Sequence, residues 1–177
     1  MDLWIAPHND DETLFGAFTL MRKHPLVAVV TDSWLQFNRG ENITCEQRWM
    51  ETAMAMNILG CPFVRIGIRD DIINEWMVTE KLGRFSGFDT VYVPAVQGGN
   101  PHHDLIGIVA RRHFPNVKQY TTYSSTDLYT TGLEEVVPTP EELKLKNRAL
   151  EYYTSQIKLP ATAPHFEAIK GRSEWFL

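Results

Sequence analysis

One imidazole and three carboxylates occur within five residues near the start of the chain, in the run His8-Asn9-Asp10-Asp11-Glu12. Adjacent acids repel one another, so this arrangement is costly unless a cation or a helix N-terminus compensates for the charge. A helix start accounts for one or two of the acids through capping. It does not account for the histidine, whose presence favours a metal ion as the compensating charge.

A second polar run, Gly98-Gly99-Asn100-Pro101-His102-His103-Asp104, places two more imidazoles in another loop. Two neutral imidazoles and one carboxylate are a ligand set suited to a catalytic Zn²⁺ with an open coordination position. We therefore predict that the two runs bind one metal ion together. A lone histidine is more often structural, and that role is expected of His24, His113 and His165.

The elements that must position these loops alternate between short β-rich runs and helical periodicity. We predict strands at 3–6, 25–31, 63–68, 90–96 and 117–123, and helices at 13–22, 44–60, 75–82, 103–114 and 141–153. The segment from residue 160 onward is expected to be irregular. This alternation is typical of an α/β fold with a doubly wound, mostly parallel, Rossmann-like sheet in three αβα layers. Ligands bind at the carboxyl ends of the strands in such sheets, which is where both polar runs lie.

Length and composition predict one globular domain over residues 1–177. The net charge of −5 argues against a nucleic-acid partner. No apolar stretch approaches the roughly 20 residues of a membrane span, and no secretory signal is evident, so we expect a cytoplasmic protein without a membrane partner. Cys45 and Cys61 lack metal-ligand spacing and are expected to be free thiols. The oligomeric state is left open.

The first polar run resembles the signature of the PIG-L/LmbE zinc-dependent N-deacetylases, written A-H-P-D-D-E or P-H-P-D-D-E, with Asn9 in place of the proline. The second run resembles the H-P-D-H motif of the same family. The resemblance implies one Zn²⁺ per chain with three protein ligands, namely His8, Asp11 and His103. It also implies that Asp10 is the general base.

Further matches extend the resemblance over nearly the whole chain. Arg48 and Glu51 match an R-x-x-E in which the arginine helps to hold substrate, and Asp70 falls where the family has an acid near the substrate. The run 146–156 resembles the family's closing K-x-x-A-L-x-x-Y-x-S-Q. The implied activity is removal of an N-acetyl group from an N-acetylglucosaminyl or related small molecule. An exposed helical Arg48 that pairs with Glu51 is the alternative for that residue.

One departure from the family concerns proton chemistry. The first histidine of H-P-D-H stabilises the oxyanion or protonates the leaving amine, and Asn100 replaces it here. An asparagine can donate a hydrogen bond to an oxyanion, but it cannot act as an acid. Either Asp10 performs both proton transfers, or His102 contributes, or catalysis is weak.

Three other functions remain open from the sequence. The first is a metal-containing binding protein for a sugar or small molecule that has lost turnover, and the second is a metallo-amidase acting on a non-sugar amide. The third is a nucleotide-binding domain with Mg²⁺, which is disfavoured because the chain lacks a G-x-G-x-x-G or P-loop run.

Two loops are expected near the mouth of the site. The loop 33–43 carries Trp34 and Phe37, which either stack on a sugar ring or pack as a hydrophobic lid. The stretch 120–129 alternates Tyr, Thr and Ser, and a β-hairpin over the site is expected there.

Overall fold

Seven strands form one sheet in the computed structural model, which describes residues 1–34 and 42–177. They are β1 (Leu3–Ala6), β2 (Leu26–Thr31), β3 (Phe63–Ile68), β4 (Val91–Pro94), β5 (Val117–Tyr120), β6 (Glu134–Val136) and β7 (Glu174–Phe176). Their order across the sheet is β3-β2-β1-β4-β5-β7-β6. The first five strands pair in parallel, and β7 runs antiparallel to both of its neighbours. The predicted mostly parallel sheet is confirmed.

Helices of the described residues cover both faces of this sheet. One face carries α1 (Asp11–Lys23), α2 (Cys45–Leu59), α5 (Pro140–Leu150), α6 (Thr154–Ile157) and α7 (Ala163–Ile169). The other face carries α3 (Glu75–Leu82) and α4 (Pro101–His113). The fold is therefore the three-layer αβα arrangement that the alternation of elements predicts.

The central strands supply two hydrophobic cores, one on each face. Trp4 and Val27 lie in the core under α1 and α2, whereas Ile5 and Ala28 lie in the core under α3 and α4. All four side chains are fully buried. Because both faces are covered, β1 and β2 are apolar almost without interruption, as buried parallel strands are.

Trp4 determines how closely the first helix approaches the sheet. Its ring stacks on Tyr92 and Tyr120 at centroid separations of 5.4 and 4.3 Å. Gly16 of α1 faces this ring, and a Cβ atom at that position would lie only 2.4 Å from Trp4 Cζ2. The absence of a side chain at residue 16 thus allows α1, which begins at Asp11, to pack directly on β1.

A Gly16→Ala substitution tests this close packing. Helix propensity alone favours alanine over glycine by about 1 kcal/mol, whereas overpacking a core costs about 1–3 kcal/mol. We expect a net loss of stability because the added methyl group meets the rigid Trp4 ring. Urea denaturation measures the free energy of unfolding, and a stabilised variant would contradict the packing described here.

The order of the strands places a crevice between β1 and β4. From β1 the chain adds β2 and then β3 on one side, and it then crosses back to add β4 and β5 on the other side. The loops that leave β1 and β4 therefore diverge from neighbouring strand ends. Such a topological switch point is where open α/β sheets bind ligands.

Several helix boundaries agree with the sequence and others differ. The Thr44 side chain accepts a hydrogen bond from Gln47 N at 3.1 Å, and Gly60 ends α2 with a left-handed φ of 71°, as predicted. The first helix begins at Asp11, two residues earlier than predicted. The helix predicted over 141–153 ends at Leu150 and is followed by the short α6.

The prediction of an irregular segment after residue 160 is wrong. That segment forms α7 and β7 because a buried carboxylate attaches it to the body of the fold. The Glu174 carboxylate accepts backbone hydrogen bonds from Phe18 at 2.8 Å and Thr19 at 3.1 Å. It also lies 3.6 Å from Lys146 Nζ. These partners are distant in sequence, so local pattern does not reveal them.

The predicted hairpin over residues 120–129 is also not formed. β5 ends at Tyr120, and in the residues that follow, up to 133, the structure has a single bridge, between Gly98 and Ser124. The alternating Tyr, Thr and Ser side chains belong to a loop that packs against the Gly98–Asn100 segment. Most of the other predicted mouth loop, residues 35–41, lies outside the described residues.

No helix within residues 1–34 and 42–177 combines the length and apolar character needed to cross a bilayer. Cys45 and Cys61 are free and buried, as expected.

Candidate active site

The loops after β1 and β4 bring three ligand-type side chains together. Asp11 is the first residue of α1, and His103 lies in the first turn of α4. His8 Nδ1 lies 3.0 Å from Asp11 Oδ2, which in turn lies 3.0 Å from His103 Nε2. The two imidazole nitrogens are 3.2 Å apart. The sequence prediction that positions 8, 11 and 103 meet at one point is thus matched by the geometry.

The spacing of these three atoms fits a zinc ion. Zinc binds histidine nitrogen and carboxylate oxygen at about 2.0–2.2 Å, so tetrahedral ligand atoms lie about 3.3 Å from one another. The observed separations of 3.0–3.2 Å are close to that value. Two imidazoles and one carboxylate also leave a coordination position open.

Each imidazole has a second partner on the side away from the cluster. His103 Nδ1 lies 3.4 Å from Thr122 Oγ1, and Gln97 Oε1 accepts a hydrogen bond from Thr122 N at 2.7 Å. His8 Nε2 lies 2.9 Å from His102 Nδ1. Such partners orient a metal-binding imidazole and select its tautomer. The cluster is therefore held in place by both loops.

Asp10 lies beside the cluster and is held by Arg48 of α2. Arg48 Nη2 donates to Asp10 Oδ2 at 2.9 Å and to Asn9 O, while Nη1 donates to Glu51 Oε2 at 3.1 Å and to Ser155 Oγ at 3.5 Å. Arg48 is 1% exposed. The alternative of an exposed pair with Glu51 is therefore excluded, although the pairing itself is present.

An Arg48→Met variant is expected to be strongly destabilised. It leaves the buried Asp10 and Glu51 carboxylates without their shared cation, and breaking a buried pair costs about 3–5 kcal/mol. The matched control is Arg84→Met, whose exposed partner is Glu80; surface pairs contribute about 0–1 kcal/mol. Chemical denaturation of both variants makes the comparison. Equal losses of stability would show that Arg48 is not the counter-charge of the site.

The three adjacent acids have different protonation preferences, which relieves their mutual repulsion. Burial raises the pKa of Asp10 to about 6, against the opposing effect of Arg48. Burial likewise raises the pKa of Glu12 to about 8, so this group is mostly protonated at neutral pH. Burial also opposes ionisation of Asp11, but His103 and His8 together outweigh it and lower the pKa of Asp11 overall. Asp11 is therefore the acid suited to a cation ligand.

Asn9, which departs from the proline of the family signature, has a structural explanation. Its side chain is fully buried and donates from Nδ2 to Thr52 Oγ1 at 3.2 Å. Its Oδ1 accepts a hydrogen bond from Ser33 Oγ at 3.2 Å. The amide thereby ties the loop after β1 to α2 and to the end of β2, which is a function that a proline ring cannot perform.

The remaining residues predicted for the site also lie here. Asn100 is the N-cap of α4, where its Oδ1 accepts a hydrogen bond from His102 N at 2.8 Å. Burial lowers the pKa of His102 to about 4, so this imidazole is neutral at pH 7. Asp70, which follows β3, is 7% exposed. These three residues, together with Arg48 and Asp10, line one cavity of about 360 Å³ that opens over the cluster.

Other residues that line the cavity were not predicted for the site, and two of them are rings in contact with each other. Tyr123 follows β5, and His165, for which the sequence indicates a structural role, lies on α7. Their rings are 4.4 Å apart. Burial raises the pKa of Tyr123, so its phenol is neutral. The alternation of Tyr and Thr after β5 is a partial sequence signal for Tyr123, but no local sequence pattern identifies His165.

Comparison with known proteins gives matches of structure only. No protein-family model and no curated protein matches the sequence. Solved structures match over nearly the full chain.

Several of the similar structures are deacetylases. A triple mutant of the deacetylase Orf2 of the teicoplanin biosynthetic pathway has a TM-score of 0.72 at 19% identity, covering 99% of this chain and 96% of that one. The A40926 pseudoaglycone deacetylase Dbv21 has a TM-score of 0.70 at 16% identity, covering 93% and 86%. Orf2 is also known in a zinc-inhibited form, which matches with a TM-score of 0.70 at 18% identity, covering 99% and 97%.

One similar structure is that of an enzyme that catalyses another reaction. GalB, a 4-carboxy-2-hydroxymuconate hydratase from Pseudomonas putida KT2440, has a TM-score of 0.64 at 13% identity, covering 99% and 94%. The reaction must therefore be argued from the site, because one fold serves more than one chemistry. At these identities the comparisons establish the architecture: this chain has the α/β fold of the teicoplanin and A40926 deacetylases.

Proposed function

We propose that this chain is a zinc-dependent N-deacetylase of the PIG-L/LmbE family, acting on an N-acetylglucosaminyl or related small molecule. The observation that carries the proposal is the triangle of His8 Nδ1, Asp11 Oδ2 and His103 Nε2, with sides of 3.0–3.2 Å. The cavity of about 360 Å³ above it has the size of a small-molecule site. The fold shared with the deacetylase of the teicoplanin pathway and with the A40926 pseudoaglycone deacetylase supports the same function.

The metal proposed for the cluster is one Zn²⁺ per chain. The ligand chemistry supports zinc, because two imidazoles and one carboxylate suit it better than they suit magnesium or calcium. The zinc-inhibited form of Orf2 is consistent with an affinity of this fold for zinc. When bound, zinc would lower the pKa of a water molecule from about 15.7 towards 7 and polarise a carbonyl group.

Asp10 is proposed as the general base. It lines the cavity and is adjacent to Asp11, but its carboxylate is held by Arg48 and does not belong to the ligand triangle. A pKa raised to about 6 by burial keeps Asp10 ionised at neutral pH while making it a better proton acceptor than an ordinary aspartate. Asp10 would accept a proton from a water molecule while that water attacks the amide carbon. It would then pass the proton to the departing amine.

Arg48 is proposed to act mainly through Asp10. Its Nη1 and Nη2 atoms already donate to four protein oxygens, two of them carboxylate oxygens of Asp10 and Glu51. A guanidinium held in this way orients the base. The substrate contact implied by the family resemblance would then be indirect, although Arg48 borders the cavity.

Asp70 and His102 are proposed to contact the substrate, and Asn100 is proposed to act on it through the residues that its amide holds. Asp70 is buried at the cavity wall, where a carboxylate can accept hydrogen bonds from sugar hydroxyls. His102, neutral at pH 7, lies on the opposite loop against His8. Both residues line the cavity that opens over the cluster, which supports a contact of each with the substrate.

The test combines metal analysis with an acetate-release assay. The freshly purified protein is analysed for bound metals, and N-acetylglucosamine, simple N-acetylglucosaminides and non-sugar acetamides are supplied as substrates. We expect about one zinc per chain and release of acetate from the sugar substrates. Zinc with ligand binding but no acetate would favour the binding protein, and turnover of non-sugar amides alone would favour the metallo-amidase.

A further inference from the structure

The Asn100 amide is already engaged on both sides. Its Oδ1 accepts a hydrogen bond from His102 N at 2.8 Å, and its Nδ2 donates to Tyr123 Oη at 3.0 Å. The orientation of the amide follows from the first bond, because a backbone N–H requires the oxygen as its acceptor. The nitrogen therefore faces Tyr123, and Asn100 serves to hold the phenol.

The phenol of Tyr123 retains a donor that the described residues do not use. Its oxygen accepts the Asn100 hydrogen bond, and within residues 1–34 and 42–177 no acceptor contacts its own proton. A phenol can donate one hydrogen bond and accept others. Tyr123 lines the same cavity as His8, Asp10 and Asp11, so the unused proton belongs to a group at the reaction site.

Two features of the backbone fix the position of Tyr123. The loop after β5 is bridged to the loop after β4 through Gly98 and Ser124. Gly99 packs so closely that a Cβ there would lie 2.1 Å from Tyr123 O. Any side chain at residue 99 would therefore displace Tyr123 from the loop that carries Asn100.

The ring of Tyr123 is held between two imidazoles. Its centroid lies 5.2 Å from that of His103 and 4.4 Å from that of His165. The contact with His103 places the ring directly beside the proposed metal ligand. The contact with His165 closes the outer side, so α7 completes the wall that positions the phenol. Preorganised donors of this kind are what stabilise a developing oxyanion.

We propose that Tyr123 is a catalytic residue whose phenol donates a hydrogen bond to the carbonyl oxygen of the scissile amide. This inference rests on the proposed deacetylase function. As the water oxygen bonds to the carbonyl carbon, the π electron pair moves to the carbonyl oxygen, and the hydrogen bond from Tyr123 strengthens. The phenol keeps its proton throughout. The proton from water passes through Asp10 to the amine nitrogen when the C–N bond breaks. Tyr123 thus supplies the hydrogen-bond donor to the oxyanion, and the Asn100 amide holds the phenol in position.

A Tyr123→Phe variant tests the assignment, because it removes one oxygen atom and leaves the ring contacts in place. We expect kcat for acetate release to fall about 100- to 1,000-fold, as for loss of an oxyanion donor, with KM changed little. The zinc content and the melting temperature are expected to match the wild type. The control is Tyr129→Phe. The hydroxyl of Tyr129 lies outside this cavity, where it donates to Ser173 O and accepts from Trp175 Nε1. The kcat of this variant should be unchanged.

The outcomes separate the two proposals. An active wild type with an equally active Tyr123→Phe variant overturns the role of Tyr123 and leaves the deacetylase function standing. A raised KM at unchanged kcat also overturns it, because the hydroxyl would then bind the ground state and the transition state equally. A wild type that contains zinc but releases no acetate from any substrate overturns both proposals.

Discussion

A His103→Ala variant is expected to purify with little or no zinc and to release no acetate above background. His103 offers one of the three proposed ligand atoms and is almost fully buried, so neither water nor a neighbouring side chain can take its place easily. The fold should survive, because the imidazole lies in the ligand cluster and is part of neither hydrophobic core. Metal analysis of the purified protein measures the effect independently of any substrate.

The matched control for this experiment lies on the same helix. His113 lies at the exposed C-terminal end of α4, whereas His103 lies in the first turn of the same helix. A His113→Ala variant should keep its zinc and its rate. Full zinc occupancy in the His103→Ala variant would exclude this residue as a ligand, and with it the proposed metal centre.

An Asp10→Asn variant is expected to keep its zinc and to lose most of its rate. The substitution preserves the shape of the side chain and an oxygen for Arg48, but it removes the ability to accept a proton. Loss of a general base typically costs about 100- to 10,000-fold. Steady-state kinetics and metal analysis together distinguish a lost base from a lost ligand.

A second aspartate controls for the change of charge. Asp89 is exposed just before β4, at the end of this strand that is opposite to the site. Its replacement by asparagine should leave kcat unchanged. If the Asp10→Asn variant instead loses zinc, Asp10 belongs among the ligands; if it retains the wild-type rate, another group is the base.

The meeting of the side chains at positions 8, 11 and 103 could be predicted because each belongs to a short polar run that follows a strand. His8, Asp11 and His103 each lie within a few residues of a strand end, and a parallel sheet brings such ends to one edge. The switch point between β1 and β4 then follows from the order of the elements. The choice of these three residues came from the resemblance to the family signature, and the structure brings their side-chain atoms to within 3.0–3.2 Å of one another.

The surroundings of the triangle depend on packing that sequence patterns do not encode. The R-x-x-E of Arg48 and Glu51 has the spacing of an exposed helical pair, but the contacts of α2 with the loop after β1 and with Ser155 bury it. Tyr123 and His165 reach the cavity from a loop and a short helix that have no motif in common. Side chains that meet only through tertiary structure are found by coordinates and not by periodicity.

The position of β7 has a consequence for how the protein is made. This strand lies between β5 and β6 although it follows both in the chain, so β6 has no neighbour to pair with until residue 176 has emerged from the ribosome. Glu174 of the same strand binds the backbone of α1, more than 150 residues away. Pairings over such separations form slowly. Nascent chains should therefore expose an open sheet edge until synthesis has passed this strand, and the helix that begins at Asp11 should be among the last elements to become rigid.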